Sequence, residues 1–335
     1  MVMLKKILFT GILAATAASN AAASDQIRSA GSSTVYPFVT VAAENFGRSS
    51  GFKTPIVEST GTGGGFKLFC AGEGEGSIDM ANASRPIKDS EVKLCEANGI
   101  KNITEIKLGY DGIVLANSTK APHFDFTKEE IFKALARKVP VDGKLVDNPY
   151  TKWSDINKSF PDNKIEVYGP PPTSGTRDAF VELVLEHVCE SLPEFKAAYA
   201  DKISMKKACG LIREDGAFIE AGENDNLIVQ KLESNIDAVG IFGYSFLEEN
   251  MSKVQGSSID GVDPRFENIS SGKYPVSRSL FVYLKDSHLS KTEGLAEFAK
   301  ELVSDKAIGE DGYLIEKGLV KLSEEELANV QSKFK

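Results

Sequence analysis

The chain has 335 residues, a formal net charge of −9 at neutral pH and hydrophobic residues at 41% of its positions. This length is enough for a large core and favours two lobes over a single domain. A surface this acidic repels anions and nucleic acids, so we expect no nucleic-acid partner, and an anion site must be built from local dipoles and a few placed cations.

The N-terminal residues have the pattern of a secretory signal peptide. Lys5 and Lys6 precede an apolar run over residues 7–18, and the alanines at 21–23 provide a cleavage site after Ala23. The apolar run is too short to span a bilayer comfortably, although an uncleaved anchor is the alternative. We therefore expect residues 1–23 to be removed from an exported, periplasmic protein.

The first third of the chain alternates between strand and helix patterns. Short apolar or β-branched runs at 27–30, 55–59, 78–81 and 103–108 predict strands. A helical pattern over 35–46 lies between the first two, and its apolar face consists of Val35, Phe38, Val39, Ala42 and Phe46. The alternation predicts a mostly parallel sheet covered by helices.

A second set of αβ elements follows. Thr127 and Glu130 form a capping box that predicts a helix start, and further strands are predicted by the sequence runs. These runs are 112–116, 164–168, 238–244 and 280–284. A final amphipathic helix carries Leu295, Phe298, Ala299, Leu302 and Val303 on one face.

Four cysteines in an exported chain predict two disulfides. Three pairings are possible, and the simplest joins Cys70 to Cys95 and Cys189 to Cys209. None of the three histidines lies near a cluster of cysteines, so we expect neither a metal site nor a cofactor.

Three loops rich in Gly, Ser and Thr stand where a predicted strand ends and a helix begins. We name 31–34 the first loop, 61–65 the second loop and 173–176 the third loop. A helix N-terminus offers unpaired N–H groups and the positive end of the helix dipole, and hydroxyl side chains add donors. Each loop alone is more simply an N-cap and a turn, but three in one chain indicate an anion site.

The three loops lack the sequence motifs that indicate nucleotide binding or catalysis. The glycine run at 61–67 lacks the Gly-Lys-Ser/Thr ending of a P-loop and the spacing of a dinucleotide fingerprint. Ser174 is not in a Gly-x-Ser-x-Gly elbow, and the histidines have no evident partner for it.

Two arginines lie beside the loops in sequence. Arg177 directly follows the third loop, and Arg85 follows Ser84. The planar guanidinium suits a pair of phosphate oxygens, so both are candidate ligand contacts. The alternative for each is a solvated or structurally paired arginine.

Several motifs resemble the phosphate-binding component of the phosphate-specific ABC transporter, a type II periplasmic binding protein. They are Ala-Gly-Ser-Ser-Thr-Val-Tyr-Pro at 30–37, Ser-Thr-Gly-Thr-Gly-Gly-Gly at 59–65, the strand and turn at 79–87, Gly-Ile-Val-Leu-Ala at 112–116, Trp-Ser-Asp-Ile at 153–156 and Ser-Gly-Thr at 174–176. The resemblance implies a two-lobed α/β fold, each lobe a mostly parallel sheet flanked by helices, with the ligand in the cleft between lobes. It places 24–112 and 241–335 in the first lobe and 113–240 in the second.

The same resemblance implies which residues bind phosphate. The family's ligand positions fall on Ser33, Thr34, Thr62, Ser174, Gly175 and Thr176. Two positions depart from the family pattern. Ser84 followed by Arg85 stands where better-known members carry an aspartate, and Pro170 stands where they carry an arginine, which makes Arg177 the expected substitute.

Because this aspartate is missing, another group must account for selectivity between phosphate and sulfate. A carboxylate accepts a hydrogen bond from protonated phosphate but faces an unpaired charge against fully ionised sulfate. Asp111 is a candidate for this acceptor, and capping of the hinge between the lobes is its alternative role.

The function that the resemblance implies is capture of inorganic phosphate and its delivery to the permease subunits of an ABC transporter, by a monomer without catalytic activity. The alternatives are a binding protein for sulfate, arsenate or a phosphonate, an enzyme of the phosphatase class, and an adhesive or structural surface protein.

Overall fold

The computed structural model describes residues 25–74, 76–172, 174–222 and 225–334. The predicted signal peptide, with its cleavage after Ala23, lies outside the described residues. The strands are β1 Arg28–Gly31, β2 Ile56–Ser59, β3 Met80–Ala83, β4 Ile103–Ser118, β5 Asp125–Phe126, β6 Lys138–Val141, β7 Lys144–Asp147, β8 Val167–Gly169, β9 Phe218–Glu220, β10 Val239–Gly243, β11 Val254–Gly256, β12 Ser258–Ile259 and β13 Ser277–Lys285.

The helices lie between these strands and in the C-terminal segment. They are α1 Tyr36–Ser49, α2 Thr62–Phe69, α3 Asp89–Ala97, α4 Lys128–Leu135, α5 Trp153–Ile156, α6 Gly175–Phe180, α7 His187–Cys189, α8 Pro193–Ala198, α9 Lys202–Cys209, α10 Asp225–Ser234, α11 Tyr244–Glu249, α12 Phe266–Ser270, α13 Leu295–Leu302, α14 Asp305–Ile308, α15 Tyr313–Glu316 and α16 Glu324–Ser332. A π-helical stretch, Val181–Glu186, joins α6 to α7 without a break.

One long strand, β4, joins the two lobes. The main sheet has the order β2-β1-β3-β13-β4-β10-β8-β9, with β11 also paired to β4. The first half of β4 pairs with β13, and its second half pairs with β10 and β11. In the first lobe β13 runs antiparallel to its neighbours, in the second lobe β4 does, and the other pairs along the order are parallel. The predicted α/β architecture is confirmed, with one antiparallel strand in each lobe where the chain crosses.

The expected lobe boundary at 240/241 stays a prediction, and it falls inside β10, Val239–Gly243. The whole of β10 pairs with the second half of β4 and with β8, and β11 pairs with the end of β4. Strand β12 then pairs with β5, which follows β4 in the second lobe. Strand β13 is the next strand that pairs with one preceding β4, namely β3. The sequence of β10 reads only as an apolar strand, and its partner strands are a property of the tertiary structure.

The apolar faces predicted for two helices form part of the core of the first lobe. Helix α1 buries Phe38, Val39, Ala42 and Phe46, and α13 buries Leu295, Phe298, Ala299 and Leu302. The rings of Phe46 and Phe298 lie 5.2 Å apart, so the two helices pack face to face. Burial of each such ring contributes about 1.5–3 kcal/mol.

Both predicted disulfides are confirmed. Cys70 pairs with Cys95 and links the end of α2 to α3, and Cys189 pairs with Cys209 and links α7 to α9. The first disulfide lies in a small core with Phe66 and Tyr283. It therefore anchors the helix that begins at the second loop.

Some secondary-structure elements agree with the local sequence patterns, and others differ from them. The capping box of Thr127 and Glu130 is present at the start of α4. The runs at 103–108 and 112–116 belong to the single strand β4, because Gly109 and Gly112 continue the extended backbone. The hairpin of β6 and β7 was not predicted from the sequence. Its two-residue turn, Asp142-Gly143, has positive φ at both positions, as a type I′ turn requires.

Candidate anion site in the interlobe cleft

The first loop turns the chain from β1 into α1. Gly31 has a φ of 149°, and a Cβ on it would lie 2.1 Å from the carbonyl oxygen of Asn82, so the close approach of these two backbones requires glycine. Ser32 caps the turn by accepting hydrogen bonds through its Oγ and its carbonyl oxygen. Ser33 is half-buried and Thr34 is buried, and both line the cleft.

The second loop lies against the first. Gly61 has a φ of 72° and precedes Thr62, the first residue of α2. A Cβ on Gly65 would lie 2.5 Å from the Cα of Gly31, so the two loops touch backbone to backbone. The Oγ1 of Thr62 accepts a hydrogen bond from the backbone N–H of Ser84 at 3.2 Å and lies 3.1 Å from the Ser84 Oγ. Two predicted site residues of the first lobe therefore form one hydroxyl pair.

The third loop reaches the first from the other lobe. Ser174 is the N-cap of α6, and its Oγ accepts a hydrogen bond from the backbone N–H of Thr176 at 3.2 Å. A Cβ on Gly175 would lie 3.5 Å from both the carbonyl oxygen of Ser33 and the Cα of Thr34. Because α6 continues through the π-helical stretch into α7, the helix dipole behind this loop is longer than α6 alone.

The cleft between the lobes contains two neighbouring cavities, which we name the inner cavity and the outer cavity. The inner cavity has a volume of about 610 Å³ and the outer one about 580 Å³. Of the predicted site residues, Thr34, Asp111, Ser174, Gly175 and Thr176 line the inner cavity, Thr62, Ser84 and Arg85 line the outer one, and Ser33 lines both. Asp178 on α6 also lines both. The fold thus brings nine of the ten predicted positions to one cleft.

Arg177 is the exception. Its Nη1 donates to the carbonyl oxygen of Pro170 at 3.0 Å and lies 3.7 Å from the carboxylate of Glu220. Its guanidinium stacks over the ring of Phe218 at 4.6 Å. These contacts hold the side chain against β8 and β9 and away from the first loop. The position of Arg177 therefore does not support the expected contact with a ligand, which stays a prediction.

Arg85 lines the outer cavity but already has an anionic partner. Its two terminal nitrogens donate to the two carboxylate oxygens of Glu91 at 2.9 and 2.8 Å, and the guanidinium lies 5.6 Å from the centre of the Phe66 ring. The hydrogen bonds from Arg85 to Glu91 raise the pKa of the guanidinium. This is the structurally paired arginine that the sequence left as an alternative.

Asp111 is buried and lies directly opposite Arg278 in the register of β4 and β13. The Nε of Arg278 donates to Asp111 at 3.4 Å, its Nη2 to the Oγ1 of Thr34 at 2.5 Å and its Nη1 to Glu182 at 2.6 Å. Burial raises the pKa of Asp111, and the charge of Arg278 opposes that shift without cancelling it.

Arg278 is not among the residues that were predicted from the sequence. The available signal was an arginine two residues before the apolar strand run at 280–284. It was not decisive, because an arginine at a strand end is most simply solvated. The side chain of Arg278 is only 8% exposed, and it connects residues from both lobes.

Within the part of the chain that the structure describes, no group of three or more His, Cys, Asp or Glu side chains is arranged to hold a metal ion. No helix among those residues is long and apolar enough to cross a membrane.

Comparison with known proteins identifies the family. A model of the PBP superfamily domain matches residues 16–306. The phosphate-binding protein PstS of Staphylococcus saprophyticus is 30% identical over 315 residues, which are 92% of this chain and 84% of that protein. Protein SphX of Synechococcus elongatus is 32% identical over 267 residues, which are 78% of this chain and 68% of SphX. The chain belongs to the PBP superfamily, in the family of PstS and SphX.

A solved structure extends the match to three dimensions. The crystal structure of a possible phosphate binding protein from Planctomyces limnophilus is 30% identical and superposes with a TM-score of 0.74, covering 93% of this chain and 98% of that one. Membership in the PstS family and the two-lobed fold, both expected from the sequence motifs, are therefore confirmed.

The two departures from the PstS family pattern are now placed in the structure. Ser84, at the position of the expected aspartate, pairs with Thr62 at the outer cavity. The carbonyl oxygen of Pro170, at the position of the expected arginine, accepts a hydrogen bond from Arg177. The nearest cation to the Thr34 hydroxyl is thus on β13, not on the third loop.

Proposed function

We propose that this chain captures inorganic phosphate in the cleft between its lobes and delivers it to the permease subunits of an ABC transporter. The observation that carries the proposal is the approach of the third loop to the first, which gathers donors from both lobes. The Cβ position of Gly175 lies 3.5 Å from the carbonyl oxygen of Ser33. The names of the relatives, phosphate-binding protein PstS and a possible phosphate binding protein, support phosphate as the ligand.

The proposed donors are backbone N–H groups at the starts of α1, α2 and α6, together with nearby hydroxyls. The proposed ligand set is Ser33, Thr34, Thr62, Ser84, Ser174, Gly175 and Thr176. Hydrogen bonds from helix N-termini suit a tetrahedral oxyanion, and no large positive patch is needed in a chain whose net charge is −9. Neutral donors also allow release, because they bind an anion without the strong Coulomb attraction of several paired cations.

Asp111 is the proposed acceptor for a protonated phosphate oxygen. Its carboxyl group lines the inner cavity with Thr34 and Ser174. Burial raises the pKa of this carboxyl group, and the charge of Arg278 opposes the shift and favours the ionised form that accepts hydrogen bonds. A carboxylate in this position accepts a hydrogen bond from the O–H of phosphate but repels fully ionised sulfate, which has no proton to give. The second candidate ligand is another oxyanion, namely sulfate, arsenate or a phosphonate. The affinities of the protein for phosphate and for these anions distinguish the two candidates.

The two lobes are proposed to close on the ligand about the crossing strands. We assign residues 25–112 and the segment from β13 onward to the first lobe and the remainder to the second. Closure moves the third loop against the first two and exchanges water for fixed donors. Binding without turnover, a monomeric state and a periplasmic location complete the proposal.

Calorimetric titration tests the proposed function directly. Protein stripped of bound ligand by unfolding and refolding is titrated with inorganic phosphate and, separately, with sulfate. We expect one phosphate per chain and much weaker binding of sulfate. Absence of heat and of thermal stabilisation with phosphate would overturn the proposal, and tighter binding of sulfate would favour the second candidate.

A further inference from the structure

Arg278 holds two carboxylates at once, and they differ in their surroundings. Asp111 is fixed opposite it in the sheet register, and its side chain is 11% exposed. Glu182 approaches from the π-helical stretch of the second lobe, and its side chain is 55% exposed. One guanidinium between two ionised carboxylates leaves a net negative cluster beside Thr34, which lines the inner cavity. An arriving anion is repelled unless one carboxylate moves away.

Glu182 is the carboxylate that can move. It lines the outer cavity, and its exposed carboxylate regains water when it leaves Arg278. Exposed ion pairs contribute little to stability for this reason, whereas a carboxylate as buried as Asp111 would lose its partner without gaining water. The Nη1 that Glu182 occupies belongs to the same guanidinium whose Nη2 already contacts the first loop through Thr34.

We infer that Arg278 supplies the cation of the anion site, and that Glu182 is its internal counter-anion, which a captured oxyanion displaces from Nη1. The inference rests on the proposed capture of an oxyanion in this cleft. The positive charge of the site then comes from Arg278 on β13, whereas in the family pattern it comes from an arginine four residues before the Ser-Gly-Thr motif. Glu182 keeps Arg278 paired before capture, and its displacement reduces the measured affinity by the free energy of the exchanged ion pair.

The test compares Glu182→Gln with Asp178→Asn. Asp178 lies one helical turn before Glu182 and lines both cavities, so its amide variant removes one negative charge from the same helix without touching Arg278. Calorimetry with inorganic phosphate is expected to show about two- to fivefold tighter binding for Glu182→Gln, the range of an exposed ion pair. The gain for Asp178→Asn is expected to be less than about half as large.

Variants of Arg278 complete a double-mutant cycle. Arg278→Gln removes the charge. Arg278→Lys keeps the charge but loses the planar fork of the guanidinium, and it serves as the second variant in case Arg278→Gln does not fold. Each is expected to weaken phosphate binding by about tenfold or more and to abolish the gain from Glu182→Gln.

The outcomes separate the inference from the proposed function. If wild-type protein binds phosphate but Glu182→Gln binds it equally or more weakly, Glu182 is not a displaced counter-anion and the inference fails alone. Equal gains in Glu182→Gln and Asp178→Asn also overturn the inference, since the removal of one negative charge near the cleft then accounts for both gains. Lack of phosphate binding by the wild type overturns the proposed function and the inference together.

Discussion

Gly175 of the second lobe lies against Ser33 of the first, with the Cβ position of Gly175 3.5 Å from the Ser33 carbonyl oxygen. This is ordinary van der Waals contact for a methyl group, so a longer side chain has to displace the first loop or extend into the inner cavity. We therefore expect the size of the residue at 175 to limit the proposed closure of the lobes.

A size series at Gly175 tests this limit. Gly175→Ala is expected to bind phosphate within about threefold of wild type, whereas Gly175→Leu is expected to lose about a hundredfold or more because its side chain separates the loops. Small-angle scattering with saturating phosphate checks the cause. The leucine variant should keep the dimensions of the open form, and a compact profile for it would contradict the explanation.

Gly65 and Gly63 form a matched pair within α2. A Cβ on Gly65 would meet the Cα of Gly31 at 2.5 Å, whereas a Cβ on Gly63 meets nothing within 4 Å. We expect Gly65→Ala to lower the free energy of unfolding by about 1–3 kcal/mol through the backbone clash. Gly63→Ala is expected to raise it by about 0.5–1 kcal/mol, the ordinary gain of alanine over glycine in a helix. Urea denaturation measures both, and equal effects would argue against contact between the loops.

The two disulfides are expected to contribute similarly to stability and differently to binding. Their sequence separations, 25 and 20 residues, predict about 3 kcal/mol each from loop closure. Serine pairs replacing Cys70 and Cys95, or Cys189 and Cys209, are compared by denaturation and by phosphate titration. Because the first disulfide anchors the helix of the second loop, its loss should weaken binding more. The reverse order would contradict that coupling.

Glu326 gives the C-terminal helix a pH-dependent attachment to β4. Burial alone would raise the pKa of its carboxyl group, but hydrogen bonds from Lys107 and Tyr110 outweigh burial and lower the pKa to about 2. A lowered pKa stabilises the fold fully above the ordinary value of 4.5, and the contribution is lost as the pH falls from 4.5 through 2. With screening at this partly exposed site, we expect about 1 kcal/mol.

The Glu326→Gln variant isolates this contribution. Its free energy of unfolding should be about 1 kcal/mol below wild type at pH 7, and the two proteins should converge near pH 2. Glu324→Gln, in the exposed first turn of the same helix, is the control for loss of charge. A difference between Glu326→Gln and wild type that does not change with pH would show that packing, not ionisation, is responsible.

Asp111 is expected to set the preference for phosphate over sulfate. Asp111→Asn replaces an acceptor with a group that also donates, so the ratio of the two affinities should fall by about tenfold. Asp178→Asn, which removes a charge at the cavity edge, should leave the ratio within about twofold. Parallel titrations with both anions measure it, and an unchanged ratio in Asp111→Asn removes Asp111 from the explanation of selectivity.

The sequence by itself determined the features that depend on near neighbours along the chain. The strand-to-helix loops, the capping box at Thr127 and the apolar faces of α1 and α13 follow from residue type and short spacing. The four cysteines favoured the disulfide pairing that the structure has, but they did not exclude the other two pairings. Because each loop contains its own turn and cap, its local conformation was predictable, and the family motifs then indicated that the three loops meet.

Only the tertiary structure decided where the charges of the site lie and which strands pair with one another. Arg278 reaches Thr34 across 244 positions of sequence because β13 and β4 align it opposite Asp111. Arg177 is adjacent to the third loop in sequence yet turns to Pro170 and Phe218. The direction of a long side chain depends on the register and packing of distant strands, and nothing in the local pattern of residues specifies either.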